Sequence, residues 1–475
     1  MNDTTEFNVP CDQRQLFLDD VGIERLENLT RTLHQPSKKG AVVRSSNPTQ
    51  TIQTRTAPAW DPEEKVYKFW VIGTDESYRI SADGLHWTSR SEPNIGGTMA
   101  VRDGTDPDPN RRYKAALLNA GFAVSPDGVN WTKLDVPLVP SSDEGNFSYN
   151  EKEGLFIHTV KRRGPYGRSL AMATSTDFEN WDDYGVVFHA DEVDQEMGRD
   201  VIEARLSNPN LRQTEYNTPE HYSVQIYNMG VFRYEGIYIG LPSMYHHTGK
   251  VPTDWPGFDR LRLSPYILEC VRQYGDYTGF YNIQMVCSRD LKNWIRLGER
   301  RPFLETSTLG GGAYDLQGLL GPSNAVVRGD ELWFYYTGTK QYAFITSGDV
   351  PGYDDYHPDT GAVCLAVLRR DGFISLDAGE AVGTVCTEPF TLNGDSLFVN
   401  VDVPNGELGV EMLSANGDTL AASARLHGDY PAARIAWTEG NIAESLGQTV
   451  RLRFTLRNGQ FYSYWFGSVS TYGRF

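Results

Sequence analysis

The sequence predicts an all-β chain, a five-bladed β-propeller followed by a C-terminal β-sandwich, and three observations carry that prediction. A turn motif of the form S-x-D-x-x-x-W recurs along most of the 475 residues. An aromatic strand precedes each copy. Past Asp377 the motif stops, and strands of alternating polarity take its place. Composition agrees: 12% of the residues are aromatic and 46 are glycine, the mixture of pleat-filling side chains and tight turns that sheets require.

The copies are Ser81-Ala-Asp-Gly-Leu-His-Trp87, Ser125-Pro-Asp-Gly-Val-Asn-Trp131, Ser175-Thr-Asp-Phe-Glu-Asn-Trp181 and Ser288-Arg-Asp-Leu-Lys-Asn-Trp294. A degenerate fifth, Arg369-Arg-Asp-Gly-Phe-Ile-Ser375, lacks the tryptophan. The aspartate side chain satisfies backbone donors two residues on and so shapes a tight turn, while the tryptophan packs under the next strand. The aromatic strands ahead are Val66–Ile72, Arg112–Leu118, Leu155–Val160, Ile237–Leu241 and Leu332–Tyr336. Each follows a turn, and another strand-like run precedes that turn. The unit therefore reads strand, turn, aromatic strand, strand, motif turn, strand. That is a four-stranded antiparallel blade, present five times.

The first three copies are 44 and 50 residues apart, a blade-like period. Inserts at about 191–222 and 245–280 stretch the fourth blade, and one at about 339–361 stretches the fifth. They are rich in Tyr, His, Arg and Asp, as in Tyr245-His-His247, Trp255-Pro-Gly-Phe258 and Tyr353-Asp-Asp-Tyr356. Long loops inside a compact repeat predict the walls of a pocket on one face of the ring.

Residues 1–379 are assigned to the propeller and 380–475 to the sandwich. In the second part Leu397–Val401, Leu408–Leu413 and Val450–Leu456 alternate apolar with polar side chains, as a sheet with one buried face must. Gln15–Leu18 and Leu29–Leu33 also look like strand. They are expected to close the ring by pairing with the last blade, which removes exposed edges.

A formal net charge of −18 excludes nucleic acid as a natural partner, since an acidic surface repels a phosphate backbone. No run of apolar residues reaches membrane-spanning length, and no membrane partner is expected. The polar start, Met1 to Pro10, lacks the apolar core of a secretory signal, so the chain reads as cytoplasmic unless a signal was removed. Five scattered cysteines, Cys11, Cys270, Cys287, Cys364 and Cys386, form no CxxC pair and read as idle thiols. His246, His247 and His357 approach Asp354 and Asp355 only if two inserts meet, so no metal site is assigned. No cofactor is implied either. No glycine-rich phosphate loop opens a helix, and no G-x-S-x-G elbow is present.

Five blades with S-x-D-x-x-x-W turns and a C-terminal sandwich resemble the glycoside hydrolases of family 32, and their relatives in families 43, 68 and 130. At the level of motifs, Leu16-Phe-Leu-Asp-Asp20 is nearest to the family's opening W-M-N-D-P-N-G. Arg102-Asp103-Gly104 echoes its R-D-P triplet with glycine in place of proline. The family's glutamate–cysteine pair has no counterpart in blade 3; Glu269-Cys270 falls in the blade 4 insert instead. The resemblance implies a carbohydrate substrate, cleavage of a glycosidic bond, and a furanoside such as a fructoside or arabinoside.

Sugar cleavage needs two carboxyl groups, one keeping a proton as general acid and the other acting as base or nucleophile. In a propeller they belong where the innermost strands begin and converge on the axis. Blade 1 offers Gln53 and Arg55 there, with no carboxylate. Blade 2 offers Arg102 and Asp103, blade 3 Asp143, Glu144 and Asn146, blade 4 Glu220, Gln225 and Tyr227, and blade 5 Asp315 and Gln317. Glu144 is the expected general acid, Asp315 the expected base or nucleophile, and Asp103 a third catalytic candidate. Arg55, Asn146, Glu220, Tyr227 and Gln317 are the expected substrate-binding residues. Two rival readings are a phosphorylase, with Arg55, Arg102, His246 and His247 as phosphate donors, and a carbohydrate-binding propeller without catalysis.

Overall fold

A computed structural model describes residues 7–47, 50–214, 216–256, 269, 272–273, 278–341 and 359–467. Five sheets of four or five antiparallel strands form the blades of a propeller, and a sixth, twelve-stranded sheet follows them. In order of sequence the first three blades are built from Ala59–Ser89, Met99–Lys133 and Gly145–Phe188. The fourth runs from Ser223 to Arg296 and carries the helix Glu192–Leu206 ahead of it. The fifth combines strands between Gly318 and Arg369 with Ser37–Val43.

The four full motif copies form one repeated turn. In each, a backbone N–H donates to the serine Oγ at 2.8–2.9 Å, as with Gly84 to Ser81 and Leu291 to Ser288. Two further N–H groups donate to the aspartate Oδ1 at 2.7–2.9 Å. The residue after the aspartate has positive φ in all four, glycine at 84 and 128, but Phe178 and Leu291 in the others, both at 65°. The turn also bolts blade to blade. Trp70 of blade 1 donates to the carbonyl of Gly128 in blade 2 at 2.8 Å, and Tyr335 of blade 5 donates to that of Gly84 in blade 1 at 2.8 Å.

The ring closes through Ser37–Val43, which pairs antiparallel with Val363–Val367. Gln15–Leu16 and Thr30–Leu33, where the sequence placed the closure, pair instead with Ser463–Tyr464 and Ile374–Asp377 in the twelve-stranded sheet. The closing strand, Ser-Lys-Lys-Gly-Ala-Val-Val, is polar because it is the outermost of its blade, and so lacks an apolar alternation. The large sheet curls around its own apolar core of Leu397, Val399, Val410, Leu452, Phe454 and their neighbours, consistent with a C-terminal β-sandwich.

The fifth motif copy has another task. Asp371 accepts hydrogen bonds from Tyr234 Oη at 2.6 Å, Ser463 Oγ at 2.6 Å and Asn400 Nδ2 at 3.1 Å, and it pairs with Arg14 at 2.5 Å. Those partners come from blade 4, from the large sheet and from the N-terminal segment. The turn that elsewhere bolts two blades here joins the propeller to the sheet behind it.

All four described cysteines are unpaired; Cys270 lies outside the described residues. No helix among the described residues is long and apolar enough to cross a membrane.

Candidate functional site

The inner strands begin on one face of the ring, the upper face, and end on the lower face. Glu144 sits at an upper strand start. Asn119 fixes the preceding turn through Ser141, donating to its carbonyl at 2.7 Å and accepting from its N–H at 2.8 Å. Gly145 then lets the strand pass, since a Cβ there would meet the Thr159 carbonyl oxygen at 2.9 Å.

Arg55, from blade 1, donates its Nε to Glu144 at 2.6 Å and its Nη2 to Gln53 at 2.7 Å. Tyr227, from blade 4, donates its hydroxyl to Glu144 at 3.2 Å. Lys161, on the second strand of blade 3, pairs with Asp143 at 2.7 Å and lies 3.5 Å over the Tyr227 ring. Arg168 donates to Gln225 at 2.9 Å on the same side. Tyr245 and Tyr281 stack at 5.1 Å beside Tyr227, extending the aromatic wall. Three blades thus bring two carboxylates, two cations and a tyrosine hydroxyl to one place.

The electrostatics set what this cluster can do. Burial alone raises the Glu144 carboxyl, but the charges of Arg55 and Lys161 and its hydrogen bonds outweigh that and bring it down to about 2. Burial lowers the Lys161 amine despite Glu144 and Asp143 beside it. Glu144 keeps 14% of its side chain exposed, so the carboxylate is ionised and reachable.

The other expected residues divide. Asn146 donates to Ser323 Oγ at 2.7 Å, and Ser323 donates to the Arg55 carbonyl at 2.6 Å. This chain of bonds plugs the axis just below Glu144. Gly230 touches the Pro322 carbonyl beside the plug, a contact only glycine allows. Asp315 pairs with Lys38 at 2.7 Å and accepts from Tyr336 at 2.9 Å, buried inside blade 5. Gln317 donates to the Gly279 carbonyl at 2.9 Å. Glu220 lies exposed on the short turn Pro219–His221, outside the cluster.

Asp103 lies at the other end of the ring. It pairs with Lys114 at 2.6 Å and accepts from Tyr149 at 3.0 Å. Tyr149 stands five residues beyond Glu144 on the same strand, roughly 16 Å away at strand pitch. The four phosphate donors are likewise not gathered. Arg102 ends its strand on the lower face. His246 is stacked on Phe280 at 4.8 Å, and burial pushes its ring down to about 4, leaving it neutral. His357, Asp354 and Asp355 lie outside the described residues, as do most of the 339–361 insert and part of the 245–280 insert, and no metal-binding group of side chains occurs among the described ones.

The sequence reading missed Lys161. Its signal was present, the first of three basic residues, Lys161-Arg162-Arg163, that continue the apolar strand Leu155–Val160, but it sits on a second strand where no site residue was sought.

No protein-family model and no curated protein matches the chain. Among solved structures it resembles the propellers of glycoside hydrolases. One described as a glycoside hydrolase covers 70% of this chain and 92% of its own at 11% identity and a TM-score of 0.38. A family 43 arabinoxylan arabinofuranohydrolase from Bacillus subtilis covers 91% and 99% at 10% identity and 0.34. A family 32 β-fructofuranosidase from Bombyx mori covers 89% and 95% at 11% identity and 0.34. Likeness this shallow assigns no chemistry, which has to come from the residues themselves.

Proposed function

We propose that the upper funnel binds and cleaves a glycoside, with Glu144 as the ionised carboxylate of the reaction. The observation that carries the proposal is Glu144 itself: an accessible anion at an inner strand start, fixed by Arg55 and Tyr227 beside a second cation. Glycoside cleavage requires one carboxylate that stays charged and one carboxyl that keeps its proton. A group held near 2 suits the first role and not the general-acid role expected from sequence. Glu305 is a second carboxyl raised by burial, but its partners are Thr306, Arg205 and Lys38, and none of them belongs to the Glu144 cluster. Asp315 then serves to hold Lys38, whose ammonium also donates to the Glu305 carbonyl. Arg55 and Tyr227 orient the base, and the buried rings of Tyr245 and Tyr281 brace Tyr227 from behind.

Water is the favoured acceptor. A phosphate would need basic groups not already neutralised, whereas Arg55 and Lys161 are paired with Glu144 and Asp143 and Arg102 lies on the lower face. A furanoside substrate rests on the family resemblance alone. A second reading, a binding propeller without turnover, is favoured by one observation. Asp143 is the other carboxylate beside Glu144, and it is tied to Lys161.

The test is turnover on nitrophenyl furanosides and pyranosides and natural oligosaccharides, with and without phosphate. Release of one sugar without phosphate, lost in Glu144→Gln, supports the glycosidase. Because Arg55 is then left unpaired, the Arg55→Met/Glu144→Gln pair serves as a folded, inactive control. Sugar binding without release from any substrate moves the reading to the binding propeller.

A further inference from the structure

The lower face carries a pocket of ≈360 Å³, at the opposite end of the axis from Glu144. It is lined where inner strands end, by residues of blades 1, 2 and 3 and by Asn324 after the blade 5 inner strand. The Asn146–Ser323–Arg55 chain of bonds lies between it and Glu144, and neither Glu144 nor Arg55 lines the pocket.

Its chemistry is unspent. Arg102, Glu151 and Asn324 all line it, and among the described residues none of their side chains makes a hydrogen bond or ion pair. The Arg102 Nε is buried and unpartnered. A Cβ at Gly104 would touch the Arg102 guanidinium at 2.5 Å and lie 3.5 Å from Glu151 Oε1, so the cation and the carboxylate are neighbours held short of pairing. Leaving a buried donor unsatisfied is unfavourable, and a ligand that accepts from it recovers that cost on binding. Over these groups stands Trp60, 43% exposed, its indole braced against Tyr67 at 4.8 Å.

An open indole face beside a guanidinium, a carboxylate and an amide is the chemistry that recognises a neutral sugar. The apolar C–H face of the ring packs on the indole, and adjacent hydroxyls both donate to the carboxylate and accept from the guanidinium. A strongly anionic ligand would be repelled by Glu151, and a cation by Arg102. The volume falls within the range of small-ligand pockets.

We infer that this lower pocket is a second carbohydrate-binding site, taking one neutral sugar unit of an oligosaccharide and independent of the upper funnel. It would hold a polymeric substrate against the face opposite the reaction centre. The inference does not rest on the upper funnel being catalytic.

The experiment is isothermal titration of the full chain with cellotetraose, xylotetraose, arabinotetraose and a fructose tetrasaccharide, in the Arg55→Met/Glu144→Gln background so that nothing is consumed. Saturable binding of at least one is expected, weakened about tenfold or more by adding Trp60→Ala, the scale of a lost aromatic platform. Asn324→Ala is expected to weaken it less. Turnover of a nitrophenyl monosaccharide by the otherwise unaltered Trp60→Ala protein should be unchanged. Trp60 is exposed, so its loss leaves the fold intact, which a thermal melt verifies. Binding that ignores both Trp60→Ala and Asn324→Ala, or no binding of any of the four, overturns the inference.

Discussion

Asp371 and Glu144 are both buried carboxylates with an arginine at 2.5 and 2.6 Å. Around Asp371 every direction is filled: Arg14, Tyr234, Ser463 and Asn400 converge on it, its side chain has no exposure, and Arg14 is covered in turn by Trp465 at 3.7 Å. Glu144 has Arg55 and one tyrosine, and it retains an open side toward the funnel. The same ion pair is therefore a rivet in one place and a poised charge in the other. What separates them is not the pair but the number of partners and the access left over. A carboxylate whose acceptor sites are all taken has nothing to offer a substrate.

The sharpest break in that comparison is Asp371→Asn. It strands Arg14 in a buried setting, and removing one partner of such a pair costs about 3–5 kcal/mol. Chemical denaturation should show that loss, while sugar turnover below the new melting point stays unchanged. Turnover that falls with stability intact would make Asp371 part of the site and erase the distinction.

Arg55→Met tests the other pair. With Arg55 gone, burial dominates and the Glu144 carboxyl rises from about 2 toward or above the ordinary carboxylate value, held back only by Lys161. Glu144 is depressed in the folded chain, so its contribution to stability is present above its unfolded pKa and fades as pH falls toward 2. The acid limb of kcat/KM should move up by at least one pH unit in Arg55→Met, and by less in Lys161→Met. A limb that does not move means that Glu144 is not the group whose ionisation turnover needs.

Most of the architecture was legible because it is repeated. The four S-x-D turns are local, each aspartate bonding within three residues of itself, so the chain order alone reveals them. Ser37–Val43 was not legible. An outermost strand is recognised by what it pairs with, Val363–Val367, more than three hundred residues away, and not by its own polar pattern. The site split on the same line. Glu144, Arg55 and Tyr227 sit at strand starts, and strand starts can be counted along a sequence. Asp103 sits at a strand end, and only the pairing of its strand with its neighbours tells the two ends apart. The pKa of Glu144 depends on Lys161 reaching in from a second strand, a contact that no spacing predicts.

Tyr227→Phe is a smaller perturbation. It removes one hydrogen bond at 3.2 Å to a charged acceptor, worth about 1.5–3 kcal/mol at most, and leaves the ring under Lys161 in place. Turnover should fall roughly ten- to a hundredfold with little change in the melting temperature, since the phenyl ring still packs on Tyr281. A large stability loss with normal turnover would class Tyr227 with the partners of Asp371.

The smallest effect should come from Asp127→Ala, and it returns the comparison to a single motif. Asp127 and Asp371 occupy the same place in their repeats. The Asp127 side chain bonds only its own turn, accepting from the N–H groups of Val129 and Asn130 at 2.8 Å, from the Asn130 side chain at 2.7 Å and from the Ser125 hydroxyl at 3.0 Å. Burial raises its carboxyl, but those local donors prevail and lower it. Losing such a cap costs about 0.5–2 kcal/mol, because water can replace the carboxylate at an exposed turn. The expected denaturation shift is thus a fraction of that for Asp371→Asn. Equal losses would mean that the fifth copy is an ordinary blade turn, and that some other contact holds the propeller to the sheet behind it.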